Sequence, residues 1–201
     1  MARTIGSHGP KTMEAIRKAG LKLIFEHGYE AMSLRQLASE VGIQVGSLYN
    51  HISTKEDLLY DLIKTHMDDL FLQFDQIRAE WDGQGPVERM KSFIAFHVTY
   101  HILRKREVFT GYSELRSLAP NHYEEIVTLR RQYERHLIDI LTQGEREGLF
   151  HFGDASVTAY GILAMLTGVC TWFRPHGRLS KEEVSANYSD LVLNGLTPPK
   201  G

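Results

Sequence analysis

The chain has 201 residues, 42% of them hydrophobic, and a formal net charge of −2, enough apolar material for one large domain or a small head on a larger body. The single cysteine, Cys170, excludes an intrachain disulfide and points to a reducing compartment. No segment is expected to span a membrane and MARTIGSHGPK lacks the apolar core of a secretory signal, so a cytoplasmic location is expected. The charge is unevenly spread: residues 1–55 carry seven lysines and arginines against four glutamates, and the remainder is acidic.

Residues 1–11 are expected to form a flexible arm, with Arg3 and Lys11 within reach of phosphates or a minor groove. Residues 12–27 read as a helix ended by Gly28, and GYEAMS leads on with Tyr29 as apolar ballast. Ser33 and Gln36 make a capping box, after which Leu34, Leu37, Ala38 and Val41 recur at i, i+3, i+4 and i+7. Arg35, Gln36, Ser39 and Glu40 are left outward, and Gly42 ends this short helix. Residues 45–52 predict a second short helix with Leu48 and Ile52 inward and Gln44, Ser47, Tyr49, Asn50 and His51 outward. Gly46 lets the backbone approach another surface closely. Thr54 and Asp57 cap the next helix, and Lys55 in its first turn is poorly placed for the helix dipole, which a phosphate partner would explain.

Two short helices joined by a tight turn put a helix into the major groove of DNA. The stretch LRQLASEVGIQVGSLYNHISTKEDLL resembles the DNA-binding signature of TetR-family transcriptional regulators, over residues 12–62. That resemblance implies that Gln44, Val45 and Ser47 approach base edges and that Tyr49, His51 and Lys55 hold phosphates. Ser33, Arg35, Gly46 and Asn50 complete the DNA-facing set. The family more often has Ser or Thr where Gln44 stands and an aromatic where Ile52 stands; Gln can bond adenine N6 and N7 bidentately. The competing reading is a plain structural corner with Tyr49 half-buried and His51 solvated.

Past Thr54 the chain reads as helix throughout. A long helix carries Leu58, Leu59, Leu62, Ile63, Met67, Leu70, Phe71 and Phe74 at helical spacing, as a connector from head to body. WDGQGP is a loop, Pro86 starts a helix to about Leu103, and charges at 104–107 mark a bend. A short helix runs toward Ser117, Pro120 opens a long one ending near Gly148, and HFGD turns the chain. Residues 155–172 are nearly apolar all round, and Ser180 with Glu183 caps a last helix with Val184, Tyr188, Leu191 and Val192 on one face. This pair of C-terminal helices is expected to meet its two-fold mate in a four-helix bundle, making a homodimer. The expected fold is all-α: a flexible arm (1–11), a three-helix helix-turn-helix head (12–55) and a helical effector-binding and dimerisation body (56–201).

The resemblance also implies a small-molecule pocket in the body. His66, Phe71, Phe74, Phe96, His97, Tyr100, His101, Tyr112, Met165 and Trp172 mix polar with apolar groups and suit an amphipathic effector. TWFRPHGRLSKEEV resembles the TetR-family regulators of fatty-acid and steroid breakdown that sense acyl-CoA esters, which would set Arg174 and Arg178 against CoA phosphates. His97 and His101, at i and i+4, open a second reading, a metal-responsive regulator. No cofactor, metal site or membrane partner is expected, and Cys170 reads as an inert core thiol. Neither a nucleophile elbow nor a phosphate loop nor an HExxH pair appears, so an all-helical enzyme is the remote alternative. The expectation is a homodimeric repressor of a palindromic operator on double-stranded DNA, released by a small-molecule effector.

Overall fold

The computed structural model describes residues 9–197, which are mostly helical, with no strand among them. The helices are α1 (Gly9–His27), α2 (Leu34–Val41), α3 (Val45–Leu48), α4 (Lys55–Arg78), α5 (Pro86–Leu103), α6 (Lys105–Ser113), α7 (Pro120–Arg146), α8 (Ala155–Thr167), α9 (Val169–Trp172) and α10 (Lys181–Leu196). Arg3 and most of the expected arm lie outside the described residues. Lys11 is helical, in an α1 described from Gly9 onward, and Pro10, with its fixed φ and no N–H to satisfy, suits an early helical position.

Two compact units are present, one made of the chain up to His66 with Arg106–Ile126, the other of Met67–Lys105 with the chain from Val127 on. In the first, Ile16, Leu23, Ile24, Leu37, Leu48, Leu58, Leu59 and Ile63 form a closed core. α1 comes close to α4 because Gly20 has no side chain: a Cβ there would sit 3.1 Å from Leu58 Cδ2. Arg17 locks the same two helices with paired 2.7 Å hydrogen bonds to the two oxygens of Asp61. Lys22 reaches Glu40 on α2 at 2.6 Å.

Residues 106–126 join this unit through aromatic and charged contacts that no local periodicity betrays. Phe109 meets Phe25 edge-on at 5.1 Å. Glu56, at the start of α4, accepts hydrogen bonds from the Ala119 amide at 2.8 Å and from His122 Nδ1 at 3.0 Å. Tyr60 stacks on His122 at 3.8 Å and donates to Glu125 at 2.7 Å. These contacts cap the first turn of α7 with a carboxylate where the helix dipole favours one.

The second unit is organised around α5, against which α10, α8 and α9 pack. Phe74 is fully buried and meets Phe93, Phe96, Tyr133 and Trp81 with ring centroids 5.1 to 5.6 Å apart. The apolar stretch 155–172 differs from expectation in two ways. Its eighteen residues, of mean hydropathy 1.4, have the length and composition to cross a membrane, which corrects the expectation that no segment does. Regular helix nevertheless stops after the thirteen residues of α8, roughly 20 Å, and restarts beyond Gly168. Only 28% of the stretch is buried, with Val157, Tyr160 and Trp172 exposed and Leu191 of α10 likewise.

Candidate functional site

The helix-turn-helix begins with the expected chemistry. Ser33 is extended (φ −112°, ψ 151°), its hydroxyl accepts from the Gln36 amide at 3.2 Å, and its own amide donates to Gln36 Oε1 at 2.9 Å. Gly42 closes α2 in the left-handed region at φ 76°, and the Ile43 amide returns to Ala38 O at 2.9 Å. The Thr54–Asp57 box is formed in both directions, at 2.9 and 3.0 Å.

The recognition helix is shorter than residues 45–52. Regular α geometry ends at Leu48, and the chain continues in turns closed by Asn50 N to Ser47 O (3.3 Å) and His51 N to Leu48 O (2.9 Å). With Gly46 inside and Asn50 and His51 following, the segment has little intrinsic propensity to extend. Leu48 and Ile52 still anchor it, 0% and 5% exposed. Gln44 occupies the N-cap position but makes no side-chain cap bond, so its amide is left for another partner. Tyr49 and Asn50 are exposed beside it, Arg35 is exposed on α2, and Val45, Ser47 and His51 are half-buried. Space around Gly46 is open: a Cβ there would meet no atom within 4 Å, so the fold itself does not require glycine. What its absence of side chain provides is a bare strip of helix between Gln44 and Tyr49.

Lys55 has a different role from the one its position suggested. Its ammonium donates to the carbonyls of Tyr29, Glu30 and Met32 at 3.0 to 3.3 Å and lies 4.2 Å over the Tyr29 ring. The link between α1 and α2 accounts for a lysine at the start of α4, and no phosphate is needed to explain it.

In the second unit α4 and α5 bring Phe74, Phe96, His97, Tyr100 and His101 together. The His97 and His101 rings stack at 3.7 Å. His97 bonds Tyr133 through Nδ1 at 3.2 Å and Thr167 through Nε2 at 3.0 Å, while His101 Nδ1 donates to His97 O at 2.7 Å. Burial, with a smaller push from His101, holds His97 well below the ordinary imidazole value. One ring proton serves two neighbours, so one hydroxyl must donate to the ring while the other accepts from it. Both His97 nitrogens are engaged within the fold, so the i, i+4 histidine pair does not offer two free imidazoles to a metal. Tyr100 donates to Asp69 at 3.1 Å and Arg104 pairs with the same carboxylate at 3.2 Å. Cys170 is buried, its thiol donates to His101 O at 3.2 Å, and burial pushes its pKa up to about 11.

The remaining expected pocket residues are not part of this cluster. His66 and Tyr112 belong to the first unit, Tyr112 exposed. Met165 is half-buried on α8, and Trp172 is half exposed against Tyr188. Phe71 lines a groove between α4 and α7. Arg174 and Arg178 are both exposed in the loop before α10. Tyr133 and Thr167 were not anticipated as His97 partners. Tyr133 could have been found from its helical spacing with Ile126, Leu137 and Ile140, all buried on α7.

Residues 16–62 match the family model for bacterial regulatory proteins of the tetR family, and residues 83–196 match that for the Tetracyclin repressor-like C-terminal domain. The chain belongs to the TetR family of transcriptional regulators. It is 28% identical over 201 residues to the HTH-type transcriptional repressor KstR2 of Mycobacterium tuberculosis, covering 98% of each chain. The structure of ketosteroid transcriptional regulator KstR2 of that organism is similar with a TM-score of 0.82 at 26% identity, over 98% of this chain and 99% of that one. A tetR-family regulatory protein from Rhodococcus RHA1 gives a TM-score of 0.86 at 27% identity, over 94% and 99% of the two chains. AibR, in complex with isovaleryl coenzyme A and operator DNA, gives 0.79 at 27% identity, over 94% of this chain and all of that one. Members of the TetR family are transcriptional regulators, not enzymes. The helix-turn-helix of this TetR-family protein is its DNA-binding element.

Proposed function

We propose that this TetR-family protein is a homodimeric repressor of a palindromic operator and is released from it by an acyl-CoA thioester. The observation that carries the reading is the recognition segment itself. The side chains of Gln44, Tyr49 and Asn50 are exposed and make no hydrogen bond among the described residues, beside a glycine the fold does not require. Polar groups left unpaired on a capped, well-anchored segment suit base edges and phosphates. Gln44, Val45 and Ser47 read bases; Ser33, Arg35, Tyr49, Asn50 and His51 hold the backbone; Lys55 positions the α1–α2 link that carries them. Residues 12–55 act as the head and 56–201 as the effector-binding and dimerisation domain, working in the cytoplasm.

Dimerisation is supported by Val157, Tyr160 and Leu191, large apolar side chains left in water by α8 and α10 in a single chain. Two-fold symmetry gives two recognition helices for half-sites about one helical turn, or roughly 34 Å, apart. Release needs only an effector whose affinity differs between two arrangements of the dimer, and a coupling of about 1 to 3 kcal/mol changes operator affinity about 5- to 150-fold. α4 and α7 are the conduits: each runs from one compact unit into the other, and Glu56–His122 and Tyr60–Glu125 tie them together at one end. The acyl-CoA class is supported by the isovaleryl coenzyme A bound to the similar AibR and by the exposed Arg174 and Arg178.

Fluorescence anisotropy of the labelled promoter duplex upstream of the protein's own gene tests both parts. Nanomolar, salt-sensitive binding that is reversed by isovaleryl-CoA or longer acyl-CoAs, and not by the free acids, is expected. Binding that does not discriminate against random duplex would overturn the repressor reading, and a complex insensitive to every acyl-CoA would overturn the effector class.

A further inference from the structure

A groove of about 510 Å³ runs between α4 and α7 within the second unit, lined by Phe71 and Arg78 from α4 and by Arg131, Gln132, Arg135 and His136 from α7. Arg131 and Arg135 stand one helical turn apart, both exposed, with no hydrogen bond or ion pair among the described residues. Like charges at i and i+4 weaken a helix, so the two arginines do not support each other within α7. From the opposite wall Arg78 points at the same space, its Nη1 3.3 Å from Asp75 Oδ1 and 3.2 Å from His136 Nε2. Burial first, and the Arg78 charge second, keep His136 neutral, so it adds an acceptor for Arg78 and no further charge. The balance is three guanidiniums against one carboxylate. Beside them the half-buried Phe71 ring gives the groove an aromatic wall. A second recess of about 360 Å³ shares Arg78 and His136 and extends the space toward Trp81, where Arg89 stands with Asp82 and Asp139, so the cationic excess belongs to the Arg131–Arg135 end.

We propose that this α4–α7 groove binds the phosphate groups of a nucleotide, with Arg131 and Arg135 as the phosphate clamp and Phe71 as the stacking surface for the base. Guanidinium forks match phosphate oxygens in pairs, and a base stacks on any aromatic face. The groove has the size of an ordinary small-molecule site rather than that of a single ion. Building on the acyl-CoA reading above, and moving the adenosine phosphate contacts from Arg174 and Arg178 to α7, the nucleotide is the adenosine bisphosphate end of the coenzyme, or a free nucleotide of the same chemistry. The site also has a route to function, because it bridges the two helices that continue into the other unit.

Calorimetric titration of the full-length protein with adenosine 3′,5′-bisphosphate, adenosine and isovaleryl-CoA tests this. Wild type should bind the bisphosphate at least 10-fold more tightly than adenosine, and more weakly as salt rises. Arg131→Gln with Arg135→Gln should lose at least 10-fold, Arg135→Gln alone an intermediate amount, with unchanged thermal midpoints because both side chains are exposed. No bisphosphate binding at millimolar concentration, or equal binding by wild type and double variant, would overturn the proposal. A parallel 10-fold loss for isovaleryl-CoA assigns the groove to the coenzyme; loss of the bisphosphate alone assigns it to a free nucleotide. Should acyl-CoAs fail to release DNA while the arginines still govern bisphosphate binding, the effector reading fails and the groove stands.

Discussion

At the residue scale the sharpest contrast is between Gln44 and Lys55, two polar side chains eleven positions apart with opposite commitments. Gln44 makes no cap bond, so Gln44→Ala should leave the unfolding midpoint unchanged and cost about 1 to 3 kcal/mol of discrimination at one base position, read by competition between single-base operator variants. Lys55→Ala removes three bonds to carbonyls and a ring contact, and should lower stability in urea by about 1 to 3 kcal/mol while weakening all duplexes alike. Equal urea midpoints for the two variants would contradict that division. His97 predicts a pH dependence. Buried and neutral in the fold, it takes up a proton in the unfolded chain once pH falls below about 6.5, so stability is full above that value and declines as pH drops toward its depressed folded value. His136 acts in the same direction. Urea midpoints should fall between pH 7 and 5, by at most about 1.4 kcal/mol per pH unit for each such histidine, and less steeply for His97→Gln. A midpoint that rises on acidification would contradict the assignment. Sequence made Gln44 legible because cap and turn chemistry is local. The engagement of Lys55 was illegible because its partners lie 23 to 26 residues away and are backbone carbonyls, which carry no side-chain signature.

At the element scale helix starts and stops followed the residues closely: Ser33, Thr54 and Ser180 all form their capping boxes, and Gly28, Gly42 and Gly148 all take positive φ. The misjudged lengths have a common cause. Residues 45–52 and 155–172 both carry apolar spacing compatible with one helix, yet the first leaves α geometry at Leu48 and the second breaks at Gly168. Periodicity reports which side faces inward and is insensitive to one or two residues that leave the helical region. Membership of residues 106–126 in the first unit rests on long-range contacts such as Glu56 with His122, which periodicity cannot express. Packing of α7 gives a further prediction. A Cβ on Gly144 would fall within the ring of the buried Phe150, so Gly144→Ala should destabilise by about 1 to 3 kcal/mol despite alanine's better helix propensity. A thermal melt in which Gly144→Ala is unchanged or more stable would mean that Phe150 repacks freely.

For the whole molecule the apolar surface that single-chain packing leaves uncovered is the main constraint. Val157, Tyr160 and Leu191 are each more than half exposed on α8 and α10, and solvating them in a monomer forgoes hydrophobic stabilisation that a second copy would recover. Leu191→Lys should therefore shift sedimentation toward the monomer, leave the far-ultraviolet helical signal intact and weaken operator binding at least 10-fold, since two heads no longer bind together. A variant that stays dimeric would place the mating face elsewhere. Recognition of an inverted repeat by paired copies of the Gln44–His51 segment remains the central claim, and selection of binding sites from a random duplex pool tests it most directly. Wild-type protein should enrich an inverted repeat with half-site centres about one helical turn apart or a multiple of it, and Gln44→Ala should blur one symmetric pair of positions in that repeat. Enrichment of no sequence, or the same repeat with undiminished preference from Gln44→Ala, would contradict it.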